Sequence, residues 1–298
     1  MVTDELEKEI MPVVVRDSVE TEGKEYQMET VIEARPGWRL VDVSELWRYR
    51  ELLVLLTWRD VSVRYKQTIL GVFWVVLQPL AMMAAFSLFL ARVGGIAESV
   101  DHYPLFVLCG LLSWTLFSST IASAGNSLVS NQSLITKVYF PRLIIPLSAA
   151  GVSLVDLAVG LGVLAIVMVV FGAVPSWSLL LLPVLVLLLT VAALGIGILL
   201  SALSVSYRDF RYVIPFMVQF WMFATPVIYM PVALLGTSTQ AILPVNPAYG
   251  LILNFRNCIL GVPLDWYSLG ISSGVAILGF VIGTCYFRRV ERHFADII

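Results

Sequence analysis

The stretch "LIIPLSAAGVSLVDLAVGLGVLAIVMVVFGA", residues 143–173, carries a single ionisable side chain, Asp156. A run this long and this apolar exceeds the roughly 20 residues that cross a bilayer as a helix. Its length implies a tilted span, or one kinked at Pro146 near its start.

The rest of the chain reads the same way. Of 298 residues, 59% are hydrophobic and only 13% charged, with a mean hydropathy of +0.88. One aqueous fold of this size could not bury that much apolar surface, so part of the solvent is lipid. Six runs meet or approach spanning length: about 69–91, 104–124, 143–173, 178–203, 213–235 and 267–287. The expectation is an all-α integral membrane protein with six spans.

Lys and Arg give the orientation, because short cytoplasmic loops retain positive charge. Ten of the 19 precede the first span; Lys137, Arg142, Arg208, Arg211, Arg288, Arg289 and Arg292 fill alternate loops. Arg92 and Arg256 lie on the other side. Both termini are therefore expected in the cytoplasm.

Four segments follow. Residues 1–40 form an acidic cytoplasmic tail: the first 34 hold ten acids against Lys8, Arg16 and Lys24, and they lack the basic, then apolar, order of a signal peptide. Residues 41–66 form a cytoplasmic interface helix, in which Ser44 caps and Leu46, Tyr49, Leu53 and Leu56 repeat at helical spacing. Residues 67–290 form the transmembrane region, and 291–298 a short cytoplasmic tail. At the end of the interface helix, Arg59, Asp60, Arg64 and Lys66 crowd against the first span between Trp58 and Trp74. They either anchor the span among anionic head groups or contact another protein.

Enzymatic readings find little support. The histidines, His102 and His293, fall on opposite sides of the membrane, so no metal site or histidine-based catalytic arrangement is expected. Cys109, Cys258 and Cys285 do not form a disulfide framework. The single Gly-Lys pair, Gly23-Lys24, precedes Glu25 and makes no phosphate loop, so any ATP and Mg belong to a partner chain. A lipid-linked glycosyltransferase would need acids at a membrane face, and beyond the N-terminal region the cytoplasmic loops offer only Asp209 and Glu291.

Transport remains. Asp156, an acid well inside a span, needs a partner: it ties the third span to a neighbour or serves a pathway. Trp74, Gln78, Ala81, Ala85 and Phe89 fall on one face of the first span, and Phe216, Phe220 and Phe223 on one face of the fifth. Rings interrupted by an amide suit a saccharide path, because sugar C–H faces stack on aromatics while hydroxyls seek polar groups; lipid contact and helix packing are the competing roles. Trp114 and Phe117, beside Ser118, Ser119, Thr120 and Ser123, extend that reading to the second span. Residues 230–266 are too apolar for an exposed loop and too rich in proline for a span, which suggests two short re-entrant or surface helices lidding the outer end.

Four blocks now carry a resemblance: "ELWRYRELLVLLTWRDVSVRYKQTILGVFWVVLQPL" (45–80), "TKVYFPRLIIPLSA" (136–149), "SYRDFRYVIPF" with "FATPVIYMP" (206–231), and "VNPAYGLILNFRNCILG" (245–261). In this order they resemble the polysaccharide-export branch of the ABC-2 permeases, over about 45–290. The resemblance implies a homodimer of six-span subunits working with two ATP-binding cassette subunits on an undecaprenyl-linked polysaccharide in the inner membrane of a bacterium. It implies no nucleic-acid partner. It also implies an interface helix near 44–60 and a coupling helix within Ser127–Lys137. Coupling to the ATPase would fall on Arg59, Asp60, Arg64, Lys66, Asn131, Lys137, Arg208 and Asp209. Outer gate helices would lie at 232–262, with Tyr229, Asn246 and Arg256 as gate residues. The other transport reading, an ABC-2 exporter of a small hydrophobic solute or drug, shares this topology.

Overall fold

The computed structural model describes residues 43–66, 71–94, 102–138, 140–173, 176–232 and 235–291. The acidic tail with Gly23-Lys24, and the C-terminal tail beyond Glu291, lie outside the described residues. All regular structure among the described residues is helical: α1 (Val43–Arg48), α2 (Arg50–Lys66), α3 (Gly71–Gly94), α4 (Tyr103–Ser130), α5 (Gln132–Ile135), α6 (Ile144–Phe171), α7 (Leu182–Ser206), α8 (Phe210–Phe223), α9 (Thr237–Ile242), α10 (Pro247–Leu260) and α11 (Trp266–Glu291). Short 3-10 turns precede α7, follow α8 and precede α10.

Four of these helices are long and apolar enough to cross a membrane: α4, α6, α7 with its preceding turn, and α11. The first expected span is the 24-residue α3, whose described apolar part, Phe73–Phe89, is shorter. The fifth departs from expectation. In place of 213–235, helix α8 ends at Phe223 after 14 residues, about 21 Å at 1.5 Å per residue. Pro226 cannot continue it, and Thr225 turns back to donate to the Trp221 carbonyl oxygen at 2.9 Å. Pro146 disturbs nothing, since it sits in the first turn of α6, where a proline removes no intrahelical bond.

Helix α4 is the hub and packs on α3, α6, α7, α8 and α10. Its buried stretch runs from Tyr103 to Leu128. Helix α11 closes the other side against α7 and α10. Without a hydrophobic force between helices in lipid, close approach depends on small residues. At the α7–α11 crossing a Cβ on Gly283 would overlap the Gly195 carbonyl oxygen, so both positions must be glycine or move apart.

The two ends of the bundle differ in chemistry. At one end Arg142 donates to the Glu291 carbonyl oxygen at 2.6 Å, joining the start of α6 to the end of α11. At the other, the His102 and Phe171 rings meet edge-on at 5.7 Å, and Cys258 Sγ donates to the Ser178 carbonyl oxygen at 2.6 Å. The basic loops thus gather at one end of the fold, in the alternation read from the sequence.

Candidate functional site

The segment expected to form an interface helix is built in two parts, α1 and α2, separated at Tyr49. Its helical stripe is turned toward protein: Leu56 is buried, α2 packs on α6, and Thr57 Oγ1 donates to the Ser148 carbonyl oxygen at 3.2 Å. A second apolar set, Trp47, Val54, Leu55 and Trp58, is exposed. The helix therefore has apolar surface on both sides, one against α6 and one facing outward.

The charged cluster at its end divides between two partners. Arg59 pairs with Asp60 at 2.7 Å and donates to Asn131 Oδ1, also at 2.7 Å. Asn131 is the residue at which α4 gives way to the four-residue α5, so two of the residues expected to couple to an ATPase are in direct contact. Arg64 turns the other way and meets Asp156 of α6 at 2.9 Å. Tyr65 also donates to Asp156. The Tyr65 hydroxyl is pushed up to about 12, first by burial and then by its bond to the carboxylate, so it remains a donor throughout the physiological range. Asp156 thus bridges α6 to the interface helix. Lys66, Lys137, Arg208 and Asp209 are exposed at this same end.

Asp156 also opens onto a cavity of about 250 Å3 whose walls include Arg64, Trp74, Gln78, Thr115, Ser153 and Leu157. Trp74 and Gln78, taken from the α3 face, and Asp156, taken from α6, are brought together here. The remainder of that face, Ala81, Ala85 and Phe89, is exposed along the subunit surface. On α8 the rings of Phe216, Phe220 and Phe223 are exposed as well, while Ile214 turns inward.

Two expected path residues are elsewhere. Phe117 is wholly buried and Trp114 nearly so, and both belong to the central core of the subunit. Phe117 packs edge-on against Trp221 at 5.3 Å and beside Trp114 at 5.6 Å. Rings enclosed by their own subunit cannot touch a passing molecule, so these two are packing residues. Thr115, between them, is the exposed member of that turn and reaches the cavity. The nearby hydroxyls largely satisfy themselves within α4, as Ser118 does on the Thr115 carbonyl at 3.3 Å.

At the opposite end, the Asn246 side chain caps α10 by accepting from the Ala248 amide at 3.1 Å. It also accepts from Trp221 Nε1 at 3.1 Å and donates to Thr225 Oγ1 at 2.9 Å. The Tyr229 ring stacks on Phe86 at 5.6 Å, and its carbonyl accepts from the Tyr103 hydroxyl at 2.8 Å. Arg256 is buried within α10, its guanidinium 3.7 Å from the centre of the Phe106 ring. The α10–α11 corner is pinned by Asn254 and Asp265, which exchange hydrogen bonds at 3.1 and 2.8 Å. Helix α9, by contrast, has no buried residue.

Sequence reasoning missed Tyr65, Thr115, Ser153, Trp221 and Thr225. The Thr-Pro pair at 225–226 carried a usable signal, since a proline there ends the preceding helix. The others carried none, because their roles depend on neighbours distant in sequence. Among the described residues no three His, Cys, Asp or Glu side chains gather to hold a metal.

A bundle of apolar helices with a polar, basic end and a charged pair reaching between helices defines a multi-pass membrane protein. Residues 51–260 match the family described as ABC-2 type transporter, and the chain belongs to that family. It is thus a transport subunit of the kind that works with an ATP-binding subunit. It is 29% identical over 215 residues to an O-antigen export system permease protein RfbA of Myxococcus xanthus, covering 72% of this chain and 82% of that protein. It is 26% identical over 252 residues to a Klebsiella pneumoniae protein of the same name, covering 83% and 95%. Another Klebsiella pneumoniae protein of that name is 26% identical over 249 residues, again covering 83% and 95%.

Proposed function

We propose that this chain is the membrane-spanning permease of an ATP-driven exporter that moves a lipid-linked, O-antigen-like polysaccharide from the cytoplasmic to the outer face of a bacterial inner membrane. The observation that carries this reading is the likeness, over most of both chains, to three permeases named for O-antigen export. The reading includes six crossings, with α8 and the turns after it as the fifth and α9 and α10 as outer gate helices. Both termini lie in the cytoplasm.

The working unit is a homodimer with two ATPase subunits that hold ATP and Mg. ATP binding draws the ATPase subunits together and moves α2 and α5 as rigid bodies, joined at Arg59 and Asn131. Arg64 and Asp156 pass that displacement to α6. The path opens between the two copies, where the exposed faces of α3 and α8 supply rings. Weak contacts repeated along such a path let an undecaprenyl-linked chain slide, and tight binding at one point would stall it.

Depletion of the protein tests this. Undecaprenyl-linked polysaccharide should accumulate inside the cell, and a nucleotide-binding protein should co-purify with the permease. Normal surface polysaccharide after depletion would refute the proposal.

A further inference from the structure

We infer that the cavity walled by α2, α3, α4 and α6 is a binding station for a single neutral sugar ring, an inference that rests on the export reading above. Its volume of about 250 Å3 lies just under the range of roughly 300 Å3 and upward that holds drug-sized ligands, and suits one ring. The lining matches that chemistry. Trp74 brings an indole that is 58% exposed, a flat apolar surface for the C–H face of a pyranose. Gln78 adds an amide that both donates and accepts. Thr115 Oγ1 spends its proton on the Leu111 carbonyl at 2.8 Å, which leaves its oxygen as an acceptor.

Two observations point to a ligand. The first is Ser153, which is 99% buried on the relative scale, being 1% exposed, and lines the cavity. Its hydroxyl meets no hydrogen-bond partner within the chain, and a buried polar group left so costs free energy that a bound hydroxyl would recover. The second is the charge balance. Asp156 takes Tyr65 on one carboxylate oxygen and Arg64 on the other, yet each oxygen has a further lone pair. A phosphate in this space would face the carboxylate, and a cation would face the guanidinium. A neutral polyol meets both groups favourably, because each hydroxyl can donate to one and accept from the other. Arg64 is carried on α2, so any displacement of that helix changes the station. The hold on a ring is thereby tied to the position of the interface helix.

Saturation-transfer NMR on the full permease, purified with its ATPase subunit in lipid nanodiscs, tests the station. The probes are the methyl glycosides of glucose, mannose, galactose and rhamnose, with inorganic pyrophosphate as competitor. At least one glycoside should receive saturation on its ring C–H protons, and its affinity should weaken about fivefold or more in Trp74→Ala and in Asp156→Asn. Trp177→Ala, which alters an indole outside the cavity, should leave binding unchanged. Because Asp156→Asn also breaks an ion pair, Gln78→Ala provides a variant at an exposed position, and it too should weaken binding. Absence of transfer to all four sugars, transfer indifferent to these variants, or displacement by pyrophosphate would each overturn the station. Those results leave the export proposal standing as long as depletion still traps polysaccharide inside the cell. Normal surface polysaccharide after depletion would remove the export reading whatever the NMR result.

Discussion

Arg64 on the interface helix and Asp156 in the middle of α6 form an ion pair of 2.9 Å in which the acid is buried and the base half exposed. The pair links α2, outside the apolar run of α6, to the buried middle of that helix. With Tyr65 as a second donor, the carboxylate has the partner that an intramembrane acid requires.

Loss of one member should cost more than loss of both. Arg64→Ala leaves a buried carboxylate short of one charge partner and should destabilise the purified protein by on the order of 2 kcal/mol. Adding Asp156→Ala should cost less than the sum of the single changes. Thermal unfolding of the four proteins of the cycle in one detergent reads the coupling. Strict additivity would mean that the pair carries no interaction energy.

The Arg59–Asn131 contact predicts a different separation. Both residues lie near the surface and their hydrogen bond is solvent-screened, so Asn131→Ala should change stability by less than about 1 kcal/mol. Export should nevertheless fall, while nucleotide hydrolysis by the complex continues, because α2 and α5 no longer move together. Parallel assays of ATPase activity and surface polysaccharide on the same strain show whether the two come apart.

Rings that look alike in sequence should behave oppositely. Phe117→Ala removes a fully buried ring and should cost roughly 3–5 kcal/mol, seen as poor folded yield. Phe220→Ala at an exposed position should leave yield intact. Trp74→Glu and Phe220→Glu, each made singly, should abolish export at normal membrane levels. Unchanged export in both would remove α3 and α8 from the conduit.

The α7–α11 crossing sets a steric limit. Gly283→Val places its side chain on the Gly195 carbonyl and should force the helices apart, giving little folded protein. Gly274→Val on the same helix, where an added Cβ meets nothing within 4 Å, should be tolerated. Fluorescence size-exclusion profiles of the two variants distinguish these outcomes.

Much of the fold was legible in the chain. Long apolar runs set the ends of α3, α4, α6, α7 and α11 to within six residues, because in lipid a helix must satisfy its own backbone over the full hydrocarbon thickness. Alternating Lys and Arg indicated which loops share an end. The early stop of α8 was not drawn from its apolar pattern, which runs on past Phe223, although Pro226 marked it.

The site was less legible, for a physical reason. In a soluble helix polarity separates the inner face from the outer one, but lipid is as apolar as a protein core, so Phe117 and Phe220 carry the same signal. Only packing placed the first inside the subunit and the second on its surface. Asp156 and Tyr65 stand 91 residues apart, beyond the reach of any local spacing. The sequence by itself determined that the chain lives in a membrane, where its helices run and which ends carry charge. The tertiary structure decided which rings are buried, what Asp156 holds and where a cavity opens, since each of these depends on which helix faces meet.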